Sequence, residues 1–148
     1  MTLQINRREA LALGAVSLAS LSLGGATKDR PAMEIPAGLV SAHDESLENR
    51  MRRQVLDPES RWHGAIPDGN LLHTPHAAAD LLYYASAAYF QPLSSFHQSP
   101  ELFDRMKWAA AFLERAQTPD GNIDLMETNF NSPPDTAFVV HKIATAAR

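Results

Sequence analysis

Two stretches of this chain hold most of the side chains that could do chemistry. The first covers residues 58–76 and carries Trp62, His63, Asp68, Asn70, His73 and His76. The second follows residue 117 and carries Asp120, Asn122, Asp124, Glu127, Asn129 and Asn131. Both are polar and broken by turn residues, and loops on a rigid scaffold are where binding and catalytic groups concentrate. Asparagine amides donate to a ligand carboxylate without adding charge, which suits Asn129 and Asn131. The same two side chains could equally hold their own loop by local hydrogen bonds. Two carboxylates across a cleft, Asp68 with Asp120 or Asp124, would suit hydrolysis of a glycosidic bond. Trp62 could stack on a sugar ring or lie as a lid over the core; with His73 and His76 it forms the candidate substrate-binding set. His73, His76 and Asp80 have a spacing that could touch a metal. However, His73 stands before Pro75 and nothing in the sequence supplies an orienting partner, so no metal and no cofactor are expected.

The elements that must position these loops read as helices. Residues 27–42 contain Pro31, Pro36 and Gly38 and read as a linker. A helix is expected from His43, capped by Ser41 or Asp44, with Leu47, Met51 and Val55 on one stripe and Asp57-Pro58 at its end. Thr74-Pro75 opens a second helix, with Thr as N-cap and Pro at the first helical position, running to about Phe90. Its alanines and leucines make it apolar nearly all round, which argues burial. Tyr83, Tyr84 and Tyr89 on it read as packing residues. Ser99-Pro100 opens a third, amphipathic helix. Ser132-Pro133-Pro134-Asp135 opens a fourth, with Asp135 placed like the acidic member of a capping box. Ala137, Phe138, Val139, Val140, Ile143 and Ala144 predict that this helix too is buried.

The order is therefore amphipathic, buried, amphipathic, buried. The word Pro-Asp-Gly-Asn occurs at 67–70 and again at 119–122, each time ahead of a Ser/Thr-Pro helix start, and those starts are 58 residues apart. This pattern predicts an internal repeat of one αα-hairpin over residues 43–148. The expected fold class is all-α, part of an incomplete (α/α) toroid with the buried helices inside. An open solenoid or a four-helix bundle are the alternatives. In the ring arrangement both long loops share one rim.

Residues 1–26 have a different character. Arg7-Arg8 precede an apolar, uncharged run over residues 10–23, too short to span a bilayer, and Gly24-Gly25-Ala26 supply small residues for cleavage. This is the pattern of a twin-arginine export signal, with a mature start near Thr27. It implies the translocase as a transient partner, a periplasmic or secreted destination, and no stable membrane anchor after cleavage. The whole chain has no cysteine, so the mature part relies on its core rather than on disulfides. Without residues 1–26, which hold Arg7, Arg8 and Glu9, the 13 basic and 17 acidic residues become 11 and 16, a formal charge of −5. A mildly acidic chain whose one basic cluster, residues 50–53, lies in an acidic helix disfavours nucleic-acid binding.

The segment Thr128-Asn129-Phe130-Asn131-Ser132-Pro133-Pro134-Asp135-Thr136-Ala137-Phe138 resembles the early helical part of toroid polysaccharide lyases and heparinase II/III-like proteins. Those proteins join an incomplete (α/α) toroid to later β-domains. The resemblance implies that this chain is the front piece of an exported uronate lyase acting by β-elimination on an anionic polysaccharide or oligosaccharide. In such lyases an Asn neutralises the substrate carboxylate while Tyr or His takes the C5 proton. Asn129 and Asn131 match that Asn by neighbourhood and are the candidate catalytic residues; no residue here matches the base. A glycoside hydrolase and a non-catalytic helical binding or scaffold protein are the competing functions. The export reading is tested by changing Arg7 and Arg8 together to Lys: unprocessed precursor should accumulate in the cytoplasm, and normal export of that variant would sink the assignment.

Overall fold

The computed structural model describes residues 35–125 and 129–148, with the backbone alone at Leu125 and Asn129. The export signal, the first half of the linker, Glu127 and the side chain of Asn129 lie outside the described residues. Helix α1 is Ala37–Arg52, α2 is Pro75–Phe90, α3 is Pro100–Arg115 and α4 is Pro133–Ala146. Strands β1 (Ile123–Leu125) and β2 (Asn129–Ser132) pair antiparallel. The described residues are thus mostly helical, in keeping with an all-α class, with a small hairpin where the sequence suggests only loop.

Three helices begin as the Ser/Thr-Pro pairs dictate. The hydroxyls of Thr74, Ser99 and Ser132 accept from the N–H groups of Ala77, Leu102 and Asp135 at 3.4, 3.2 and 3.4 Å. Each proline behind them stands where its missing N–H costs nothing. Helix α1 departs from expectation at both ends. It starts at Ala37, so the stretch read as linker up to residue 42 is helical in its last six residues. Pro36, at φ −58°, is the N-cap, and Gly38 sits in the first turn, where both are tolerated. Neither Ser41 nor Asp44 caps the helix. The Ser41 hydroxyl donates to Ala37 O one turn back. The Asp44 carboxylate accepts from Ser94 Oγ and Ser95 N, both at 2.7 Å, and from Ser95 Oγ at 2.9 Å. Partial burial pushes the Asp44 pKa up, but these hydrogen bonds outweigh it and hold the group below its usual value. The helix ends at Arg52, before Val55. Gln54, buried, donates through Nε2 to Gly64 O and Arg105 O, while Val55 exchanges backbone hydrogen bonds with Gly64 and Ala65.

Helix α2 is the centre of the packing. Ala78, Ala79, Leu81, Leu82, Ala85 and Ala88 are buried, and α1, α3 and α4 all pack on it. Its small side chains let three helices approach closely. Specific contacts fix their directions. Asp44 of α1 meets Ser94-Ser95 just ahead of α3, and Met51 O accepts from Arg105 of α3, so α1 and α3 run the same way. His76 lies beside Asp135 and Asp80 beside Lys142, so α2 and α4 also run the same way. Tyr89 meets Phe103 at one end, so α2 and α3 run oppositely. Helix α4 is not the buried element its composition predicts. Val139 is its one buried residue; Phe138 is 63% exposed and Val140 also faces out. Among the described elements α4 packs chiefly on α2 and β1, which leaves the face around Phe138 and Val140 exposed.

One turn conformation occurs twice in the backbone, but two residues out of step with the repeated word. Residues 67–73 and 117–123, offset by 50, adopt one conformation. Pro67 bridges His73 as Gln117 bridges Ile123. Asp68 N donates to Leu72 O at 2.8 Å, and Thr118 N to Asn122 O at 2.9 Å. Asp68 Oδ1 accepts from Leu72 N at 3.0 Å, and Thr118 Oγ1 from Asn122 N at 3.1 Å. The left-handed position of the second turn is Gly121, at φ +80°; in the first it is Leu71, at φ +63° and 78% exposed. The glycine of the first copy, Gly69, therefore stands two places too early to relieve it. Leu71→Asn should raise the unfolding free energy by about 0.5–1 kcal/mol, because Asn tolerates this region, while Leu71→Val should lower it. Urea unfolding midpoints at unchanged slope measure both, and equal effects of Asn and Val would contradict the strain.

Candidate functional site

The helix starts lie 58 residues apart and the turns 50 apart, so the second loop has eight extra residues. Those residues are the β1–β2 hairpin, inserted between the turn and the cap of α4. The paired directions of α2 and α4 set their N-terminal ends side by side, with the first turn ahead of α2 and the hairpin ahead of α4. That rim is the candidate site.

On the first side, the His73 ring stacks on Trp62 with centroids 4.9 Å apart and planes 8° apart. The Arg61 guanidinium lies 4.1 Å from the same indole, and Phe112 of α3 meets it at 6.3 Å. Trp62 is thus half-buried and packed against the core. Its indole serves as a lid held by His73. His63 meets Trp108, and its carbonyl accepts from Arg115 at 2.6 Å. Asp68 Oδ1 serves Asn70 N and Leu72 N within its own turn. Gly64, at φ +87°, lies so close to α3 that a Cβ there would stand 2.0 Å from Trp108 O, which is how this loop is pressed onto the helix.

On the second side, Asn131 sits at the end of β2 in the left-handed region, at φ +52°. Its Oδ1 accepts from Asn122 Nδ2 at 2.9 Å, and its N–H donates to Asp124 Oδ1 at 2.6 Å. Ile123 N donates to Thr136 Oγ1 at 2.8 Å, and that hydroxyl donates to Ser132 O. The hairpin is therefore laced to the first turn of α4 by side chains. Asn131 is exposed, with its amide oxygen turned inward onto Asn122.

His76 and Asp80 on α2 face α4 between the two sides. His76 Nε2 stands 3.7 Å from Asp135 Oδ1, and Lys142 Nζ is 2.6 Å from Asp80 Oδ1. Burial lowers the His76 pKa and Lys142 adds to this; Asp135 and Asp80 pull it up, without compensating. The 3.7 Å contact is accordingly a neutral imidazole near a carboxylate rather than an ion pair at neutral pH. Ser132 Oγ hydrogen-bonds the other carboxylate oxygen of Asp135. Ser, Asp and His thus come together, but in an order unlike that of a nucleophilic triad: the carboxylate lies between, and the hydroxyl is buried at 2% exposure. Among the described residues no group of three or more His, Asp or Glu could hold a metal ion; His73 is turned onto Trp62 instead. Nor is any helix among them long and apolar enough to cross a membrane.

Of the sequence candidates, His76 faces the α2–α4 seam, Trp62 and His73 form one stack, and Asn131 belongs to the hairpin network. Asp135 and Asn122 join those networks, and Asp124, a candidate carboxylate for hydrolysis, instead accepts from the Asn131 N–H. The capping-box spacing signals Asp135; nothing in the sequence signals the Asn122–Asn131 bond, which depends on hairpin register. Compared with known proteins, the chain matches no family model, no curated sequence and no solved structure. The role of Ser132 is structural on this geometry. Ser132→Ala should lower the unfolding free energy by about 1 kcal/mol through the lost cap, and a thermal melt unchanged from wild type would contradict it.

Proposed function

We propose that this chain is an exported helical module of a carbohydrate-active protein, whose rim of loops receives an anionic saccharide. In its most specific form it is the front piece of an (α/α) toroid uronate lyase, with Asn129 and Asn131 neutralising the substrate carboxylate. The observation that carries the reading is the side-by-side placement of the α2 and α4 N-termini. Backbone N–H groups at such ends favour an anion. The hydrogen bond from Asn122 orients the Asn131 amide with Nδ2 as its donor end, which suits a carboxylate ligand. The uncovered flank of α4 around Phe138 supports a ring in which further helices pack. Trp62 and His73 then act as a wall of the rim, and His76 as a neutral group behind it. Hydrolysis through Asp68 is less well supported, since Asp68 Oδ1 is occupied by its own turn.

A non-catalytic binding role is the second reading, favoured by the engagement of the Asn131 amide oxygen within the hairpin. Incubation of the full chain with uronate-containing oligosaccharides separates the two. Elimination creates a conjugated double bond that absorbs in the ultraviolet; binding alone shifts amide resonances without new absorbance. Asn131→Ala is a poor test because it strains a left-handed position. Asn131→Gly fits the backbone and removes the amide, whereas Asn131→Asp retains an oxygen for Asn122. In an active lyase each should reduce turnover about 100-fold, the scale of losing one donor to developing charge. Neither absorbance nor any shift with uronate oligosaccharides would overturn both readings.

A further inference from the structure

The seam between α2 and α4 combines features that a purely structural contact does not need. His76 Nδ1 is buried and has no hydrogen-bond partner among the described residues, while Nε2 faces Asp135 Oδ1 at a distance too long for a hydrogen bond. A neutral imidazole has one N–H that needs an acceptor; an imidazolium has two. Charging His76 would therefore bury an unmatched N–H beside Lys142. The two carboxylates nearby are already engaged, Asp80 with Lys142 and Asp135 with Ser132. The other elements bring their charges elsewhere. Arg50 of α1 lies over Tyr84, and His43 contacts Tyr84 O. On α3, Arg105 reaches Met51 O and Glu101, and Arg115 reaches His63 O. His73 of the preceding loop is stacked on Trp62. Helix α4 is held on α2 by Val139, its one buried residue, with Ile143 and Ala146 partly buried against the core, and the hairpin is tied to it through Thr136 and Ser132.

We propose that the α2–α4 contact is an acid-sensitive joint: protonation of His76 loosens α4, with the β1–β2 hairpin ahead of it, from α2, and so parts the two sides of the rim. The sign follows from linkage. The neutral form is favoured in the closed state, so closure is complete above the ordinary histidine value of about 6.5 and weakens as pH falls below it. One proton taken up on opening raises the opening constant by up to about tenfold per pH unit. The device stands whichever ligand the rim takes, because it rests on the seam alone.

The absence of cysteine makes a distance measurement direct. Spin labels on the full chain at Gly69→Cys, where an added Cβ meets nothing within 4 Å, and at exposed Thr145→Cys report the separation of the first turn from α4. A single distance is expected at about pH 7.5, with a second, longer population growing toward about pH 5. His76→Gln, which cannot titrate, should abolish that growth. An unchanged distribution across this range, or the same acid response in His76→Gln, would overturn the joint. Should His76→Gln fail to fold, the ring resonances of the wild-type chain decide: His76 must titrate below the ordinary histidine value of about 6.5, and a value at or above it refutes the proposal.

Discussion

Burial of the α2 surface is the interaction on which the rest of this structure depends. Its alanines and leucines cannot be left in water, and no other described element presents comparable apolar area to three neighbours. Their small size matters as much as their apolarity. A row of Ala at 78, 79, 85 and 88 leaves shallow grooves into which Leu47 and Met51, Leu102 and Phe112, and Val139 can pack at core density. The outer helices need only one apolar stripe each, and their charged residues pair locally, as Arg52 with Glu48 and Lys107 with Asp104 do. Such exposed pairs contribute little to stability, so the burden stays on the core.

Around that helix, connections are held by side-chain bonds to backbone rather than by regular structure. Asp68 and Thr118 do the same work in the two turns, accepting an N–H four residues on. Asp44 ties α1 to the approach to α3, and Gln54 ties the first loop to α3. These bonds satisfy backbone groups in loops that would otherwise be poorly served. They also explain why many candidate side chains for chemistry are occupied. Asp68, Asp124 and the oxygen of Asn131 hold turns, and His73 holds Trp62.

The hairpin is the feature that separates the two repeats. Eight residues inserted after an otherwise equivalent turn build a two-stranded projection whose register is fixed by Asn122–Asn131 and Asp124–Asn131 bonds. Its position directly ahead of the α4 cap couples any motion of that helix to the rim. The turn is therefore not reproduced in strict form; one instance is plain, the other carries an insertion.

Three of the four helix starts were legible in the sequence, because a Ser/Thr cap with Pro behind it is a local device that needs no distant partner. The burial of α2 was legible for the same reason, since its composition leaves no polar face. The repeated turn could be recognised, but its register could not. A motif word marks a tendency to turn, whereas the bridges Pro67–His73 and Gln117–Ile123 decide where the chain closes, and so place Leu71 rather than Gly69 in the left-handed position. The early start of α1 was hidden by Pro36 and Gly38, which break a helix interior but suit its first turn. The exposure of α4 and the placement of His76 beside Asp135 were decided only by tertiary structure. They depend on which helices are present to cover a face and on how far apart two elements dock, and neither quantity is encoded in a local window of residues.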